Sequence, residues 1–364
     1  MVRCGREAVS IPWRQNRNKV IEVMGNSDKP LHRITVLGAG AWGTAFAQVL
    51  ADAGNDVTLW AREPEIVRSI VEDRRNVQRL PSVDRLPDNI TATGDRSAAV
   101  RDAQIVVVAI AAQYAREALE SFRAILPQDA IVVSLMKGIE RSTGQRMDEV
   151  VCEALALPRE RFVAVSGPNL SKEVAAREPG ATVVACCDIE VARKVAKACS
   201  TPYFRAFVTT DVIGVEMCGS LKNVVALAVG MVHGAGYGQN TAAMVQTRGL
   251  VELTALGVAS GASAKTFHGL AGIGDLIATC GSPLSRNYTF GANIGRGMSM
   301  QEAKELSNGV AEGVPTADAV VRMGKELHVP TPLASGVNRV LNEGLSCKRI
   351  FSELLGSGPS FDEE

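Results

Sequence analysis

Leu37-Gly38-Ala39-Gly40-Ala41-Trp42-Gly43-Thr44-Ala45 is the stretch on which the fold turns. An apolar run at 34–37 leads into it and an apolar helix-forming stretch at 44–53 leaves it, so three glycines spaced G-x-G-x-x-G join a strand to a helix. Gly38 suits the tight turn, Gly40 a close backbone approach to a pyrophosphate, and Gly43 close packing of helix on sheet. The helix start offers free N–H groups and the positive end of its dipole to phosphates. This context predicts a dinucleotide site.

On either side of the loop the pattern repeats. Short valine- and isoleucine-rich runs recur at 34–37, 57–60, 105–110, 130–135, 162–165 and 181–185, and they hardly alternate. Such runs fit strands buried on both faces of a parallel sheet. Helix-like stretches such as 44–53 and 116–125 lie between them, which makes an α/β layer fold. After about Val212 strand-like runs vanish, and alanine, glycine and helix formers dominate. The expected fold class is therefore α/β: a Rossmann-like, mainly parallel sheet domain at 31–211, followed by an all-helical C-terminal domain at 212–355. Residues 1–30 carry Arg3, Arg6, Arg14, Arg17 and Lys19 without periodicity and are expected to be a flexible extension, Met24 being a plausible start for the compact part. Residues 356–364 are expected to be a loose tail.

Composition excludes several classes. The 364 residues hold 39 Lys plus Arg and 39 Asp plus Glu, so no basic excess marks a nucleic-acid partner. With 46% hydrophobic residues the chain can bury large cores, which excludes wholesale disorder. No uninterrupted apolar run approaches the roughly 20 residues of a membrane span; the longest candidate, 224–232, stops at His233. Eight cysteines without a C-x-x-C pair read as reduced core residues of a cytoplasmic protein. No metal site is expected, and His233 is read as structural, in a glycine-rich turn.

Ligands of open α/β sheets gather at the carboxyl ends of strands. The run at 57–60 ends in Trp60-Ala61-Arg62-Glu63: Arg62 suits a 2′-phosphate and so NADP(H), whereas Glu63 keeps NAD(H) open. The runs at 130–135 and 162–165 lead into Met136-Lys137-Gly138 and Ser166-Gly167-Pro168-Asn169, which place Lys137, Gly167 and Asn169 on the ligand side. Asp211 would cap a helix from Val212 to about Met231, apolar on nearly every face and therefore buried. Lys222 lies inside it, with Val215, Gly219 and Ala226 on its own face. A buried ammonium needs a carboxylate or an anionic ligand, and burial lowers its pKa toward general acid–base work. Asp275, after three glycines in 269–274, is the best partner; Glu216 is a poor one. Ser285 would cap a helix beside Arg286, forming a phosphate clamp.

The glycine loop, Lys137-Gly138, Ser166-Gly167-Pro168-Asn169, Leu221-Lys222-Asn223-Val224, Gly274-Asp275-Leu276, Ser285-Arg286-Asn287 and Val310-Ala311-Glu312-Gly313 follow one another in a single order. Over about residues 33 to 355 the set closely resembles the soluble bacterial NAD(P)-dependent glycerol-3-phosphate dehydrogenases. The resemblance implies hydride transfer between sn-glycerol 3-phosphate and dihydroxyacetone phosphate, for phospholipid synthesis, by a cytoplasmic homodimer. It implies that Lys222 is catalytic with Asp275. It places Gly38, Gly40, Ala41, Trp42, Gly43, Arg62, Lys137, Ser171, Arg286, Val310 and Glu312 at the NAD(H) or NADP(H) site. It places Lys137, Gly167, Asn169, Lys222, Asp275, Ser285, Arg286 and Asn287 around the substrate. Asn169 and Met136 depart from the threonine common at those positions. Two other readings compete. A related dehydrogenase of another hydroxy acid is disfavoured by Ser285-Arg286-Asn287 after Asp275. A dinucleotide sensor without turnover has no use for a buried lysine with an acid partner.

Overall fold

The apolar runs become strands of one eight-stranded sheet. The computed structural model of the chain describes residues 32–306 and 311–356. The expected N-terminal extension, Val310 and residues 357–364 of the expected tail lie outside the described residues, whereas Gly356, expected to open that tail, ends the last described helix. In chain order the strands are β1 (Arg33–Leu37), β2 (Asp56–Trp60), β3 (Ile90–Thr93), β4 (Ile105–Val108), β5 (Ile131–Ser134), β6 (Phe162–Ser166), β7 (Gly180–Ala185) and β8 (Phe204–Thr209). Their order across the sheet is β3-β2-β1-β4-β5-β6-β7-β8. All pairs are parallel except β6 with β7. The chain moves outward from β1 through β3 and then returns to β4 on the other side of β1. Leu37 pairs with Trp60 on one side and Val108 on the other, so the carboxyl ends of β2, β1 and β4 lie level. That reversal point is where such sheets bind ligands.

The sheet half carries α1 (Ala41–Asp52), α2 (Pro64–Glu72), α3 (Arg96–Val100), α4 (Ala115–Glu120), α5 (Met147–Leu155), α6 (Ser171–Ala175) and α7 (Ile189–Ala198). From Val212 the described chain is helical: α8 (Val212–Gly234), α9 (Gln239–Ala259), α10 (Ala264–Phe267), α11 (Asp275–Gly281), α12 (Arg286–Gly295), α13 (Met300–Glu305), α14 (Gly313–Glu326), α15 (Pro332–Glu343) and α16 (Cys347–Gly356). One apolar core runs from the sheet (Val106, Val108, Val132, Ala164) into α8 (Leu221, Val225, Val229) and on to Leu333 and Val337 of α15.

All six expected strands form. The helix expected at 116–125 is shorter, ending at Glu120 before a run of turns. Two strands escape the sequence reading. β3 has only four residues, and β8 is an edge strand whose Phe207 and Val208 are exposed, so neither offers a long apolar run. The spanning-length expectation also needs correction. α8 has 23 residues and a mean hydropathy of 1.6 over its most apolar window, enough by length and composition to cross a membrane, but 89% of that window is buried in the protein. Counting uninterrupted apolar residues hides this, because Glu216, Ser220, Lys222 and Asn223 break the run while the helix average stays high. α8 is a core helix. His233 lies in its last turn rather than in a glycine turn, with Nδ1 2.8 Å from the Tyr288 hydroxyl.

Candidate active site

The glycine loop has the local geometry its spacing predicts. Gly38 sits at φ +113°, and a Cβ there would lie 2.6 Å from the Ala109 carbonyl oxygen. A Cβ at Gly43 would run into the Gly38 carbonyl oxygen, so the first turn of α1 packs directly on the strand end. Beside Gly40 nothing lies within 4 Å of a built Cβ, which leaves its backbone open to a ligand. The first-turn N–H groups of Ala41, Trp42 and Gly43 have no carbonyl partner within α1. This cradle fits the pyrophosphate of a nicotinamide dinucleotide.

Three further elements converge at neighbouring strand ends. Lys137 follows β5; its Nζ donates to the Gly167 carbonyl at 3.0 Å and to Asp275 Oδ2 at 2.7 Å. Gly167 follows β6 at φ +152°, with Thr182 so close that a Cβ would lie 3.2 Å from its Cα. α8 crosses both ends. Ser220 Oγ donates to the Gly138 carbonyl at 3.1 Å, and Asn223 Nδ2 to the Lys137 carbonyl at 3.4 Å. Gly219 permits this approach, because a Cβ there would sit 2.8 Å from Ser166 Oγ. Asp211 caps the helix by accepting from Gly214 N at 2.9 Å, as its position predicts.

Lys222 projects from α8 into this junction and is only 5% exposed. It donates to Asp275 Oδ1 and, at 2.6 Å, to Thr279 Oγ1. Asp275 is 2% exposed and opens α11, where the helix dipole favours a carboxylate. Its two oxygens thus serve two lysines, Lys222 and Lys137. Burial pushes the Lys222 ammonium down from 10.5 to about 8; Asp275 opposes the shift and Lys137 reinforces it. Glu216 is no partner for Lys222, since its carboxylate accepts from Met147 N at 3.1 Å.

Ser285 Oγ accepts from Tyr288 N at 3.3 Å and caps α12. Among the described residues no hydrogen bond joins Ser285 or Arg286 directly to the Lys222–Asp275 pair. The connection runs through Asn287, whose Nδ2 donates to Asn223 Oδ1 at 2.9 Å and whose Oδ1 accepts from Gly313 N at 2.9 Å. Glu312, just before α14, has a buried Oε2 without a partner among the described residues, 3.5 Å from where a Gly138 Cβ would lie. Burial raises its pKa and the nearby Arg286 charge opposes this. Lys137, Lys222 and Arg286 set three cations against Asp275 and Glu312, a balance suited to a phosphate ester. Asn169 lies in the turn after β6, its carboxamide 2.9 Å from the Thr182 hydroxyl. Ser171 opens α6, which packs beside α1. Arg62 is exposed just beyond β2.

Two family profiles match the chain: the NAD-dependent glycerol-3-phosphate dehydrogenase N-terminus over residues 33–192, and the C-terminus of the same family over 211–352. The chain belongs to the NAD-dependent glycerol-3-phosphate dehydrogenase family. It is an NAD(P)-dependent oxidoreductase. The glycerol-3-phosphate dehydrogenase (NAD(P)+) of Bifidobacterium longum subsp. infantis is 69% identical over 323 residues, covering 89% of this chain and 97% of that protein. The corresponding protein of Corynebacterium kroppenstedtii is 49% identical, covering 88% and 97%. The crystal structure of glycerol-3-phosphate dehydrogenase from Coxiella burnetii superposes with a TM-score of 0.84 at 32% identity, covering 89% of this chain and 99% of that one.

In this family member the structure adds groups that sequence reasoning did not single out. Thr279 is four residues beyond Asp275 on one face of α11, and its hydroxyl reaches both Lys222 and Asp275. That i,i+4 spacing was the available signal. Asn223 couples Lys137 to Asn287, and only its place beside Lys222 hinted at this.

Proposed function

We propose that the chain interconverts sn-glycerol 3-phosphate and dihydroxyacetone phosphate with Lys222 as general acid and base. The observation that carries this is a buried lysine clasped by Asp275 and Thr279 at the carboxyl ends of β5 and β6. Gly38, Gly40, Ala41, Trp42 and Gly43 would hold the dinucleotide pyrophosphate, with Arg62, Ser171, Val310 and Glu312 along the same ligand. The bound dinucleotide supplies the hydride that C2 gains in reduction, or takes up the hydride that C2 loses in oxidation. In reduction the Lys222 ammonium hydrogen-bonds the C2 oxygen as negative charge develops and then donates its proton. In oxidation the neutral amine removes the hydroxyl proton. Asp275 orients Lys222 and balances its charge, and Lys137, seated on Gly167 and Asp275, faces the same substrate. Arg286 and the neighbouring α12 amides would hold the phosphate, with Ser285, Asn287 and Asn169 completing the substrate contacts.

Residues 31–211 serve in this reading as the dinucleotide-binding domain and 212–355 as the catalytic one. The protein acts in the cytoplasm as a homodimer joined through its helical half, supplying glycerol 3-phosphate for phospholipids. Initial rates of dihydroxyacetone phosphate reduction test the chemistry. Lys222→Ala should lower kcat by about 10²–10⁴-fold while dinucleotide affinity, read by fluorescence titration, changes little. Near-normal turnover in that variant would remove Lys222 from the mechanism.

A further inference from the structure

A cavity of about 600 Å³ opens at the carboxyl ends of β2 and β3, lined by Trp60, Arg62, Asp95, Arg96, Ser97 and Ile125 among others. The two strand ends are tied together: Ala61 N donates to the Thr93 carbonyl at 3.2 Å, and Trp60 Nε1 to the Gly94 carbonyl at 3.1 Å. Arg62 and Arg96 thereby line one opening, Arg96 lying 6.0 Å over the Trp60 ring. Neither guanidinium has a carboxylate partner among the described ion pairs. The one carboxylate in the lining, Asp95, uses Oδ1 to accept from Ser97 N at 2.8 Å and Ala98 N at 3.1 Å. Glu63, the acid best placed for ribose hydroxyls, lies 3.8 Å from the Arg79 guanidinium instead. The end of the second strand is where these folds meet the adenosine ribose: an acid there reads the 2′-hydroxyl, an arginine a 2′-phosphate.

We infer that this cavity is a 2′-phosphate pocket in which Arg96, the first residue of α3, acts with Arg62 to make the enzyme prefer NADP(H) over NAD(H). The inference rests on the dinucleotide reading above and concerns only the adenosine end of that ligand. A phosphate monoester carries close to two negative charges near neutral pH, and two planar guanidiniums match both its charge and its oxygens. The Ser97 hydroxyl adds a donor at the rim.

Calorimetric titration of the full-length protein with adenosine 2′,5′-bisphosphate and with 5′-AMP tests this without turnover. The wild type should bind the bisphosphate at least about tenfold more tightly, the scale of one hydrogen bond to a charged group. Arg96→Ala should cut that ratio by about tenfold, and Arg96→Lys should restore part of it. Kinetics with NADPH and NADH should show the same ratio in kcat/KM for dihydroxyacetone phosphate. Equal binding of the two nucleotides by the wild type would overturn the pocket. A ratio untouched by Arg96→Ala would remove Arg96 from it. Failure of the enzymatic reading would look different, as no triose phosphate reduction with either dinucleotide.

Discussion

The proposed mechanism concentrates its chemistry in one amine, Lys222, whose charge is finely balanced. Its desolvation, with Lys137 close by, outweighs the pull of Asp275, so the ammonium loses its proton at about pH 8. The direction of the pH dependence follows. Reduction needs the protonated form, so kcat for dihydroxyacetone phosphate reduction should hold below about pH 8 and fall as pH rises through it. Oxidation of glycerol 3-phosphate needs the neutral form and should rise over the same interval. Profiles measured in both directions should cross; parallel profiles would assign the proton to another group. Much of this residue-scale picture was legible in sequence: a lysine in a wholly apolar helix demands a partner, and Asp275 after a glycine-rich turn was the best available. The sharing of Asp275 between Lys222 and Lys137 was not legible, because the three residues come from segments that meet only when α8 crosses the ends of β5 and β6.

At the scale of elements, buried carboxylates join pieces of the helical half. Glu252 of α9 caps α15, accepting from Leu333 N at 2.8 Å and Ala334 N at 3.1 Å. Burial nevertheless raises its pKa from 4.5 to about 7. The native state then keeps a proton that the unfolded chain gives up near pH 4.5. This group's favourable term is complete below that pH, declines as pH rises, and is gone above about 7. The full swing is on the order of 3 kcal/mol. Glu252→Gln removes the titration, so its melting temperature should fall less than that of the wild type between pH 5 and 7.5; identical slopes would show that Glu252 titrates normally. Elements with strong local patterns, such as β1, α1 and α8, were readable from sequence. β3 and β8 were not, since four residues or a half-exposed edge need neighbouring strands to define them. The same holds for α4, where apolar periodicity continues past Glu120 but the chain turns to seat Phe122 edge-on against Trp60.

The whole molecule carries equal numbers of basic and acidic residues, so repulsion between copies is weak. Val251 and Val258, seven residues apart on α9, are 44% and 48% exposed and share one helical face in the half proposed to form the dimer. Sedimentation at micromolar concentration should therefore give about twice the 38.5 kDa chain mass. Replacing both valines by glutamate should shift the population toward monomer. A monomer across the whole concentration range would end the dimer proposal.

Glycine spacing, strand-like runs and one lysine in an apolar helix sufficed to predict a Rossmann-like fold and a buried lysine–aspartate contact, because each is a local pattern with few physical solutions. Which groups touch was settled by packing. Asn287 bridging Asn223 to Gly313, Thr279 on Lys222, and Arg96 over the Trp60 ring beside the cavity that Arg62 also lines depend on how helices and loops distant in sequence settle on the sheet. Side-chain periodicity says which face is buried, but the partner on the other side of that face comes from a different part of the chain.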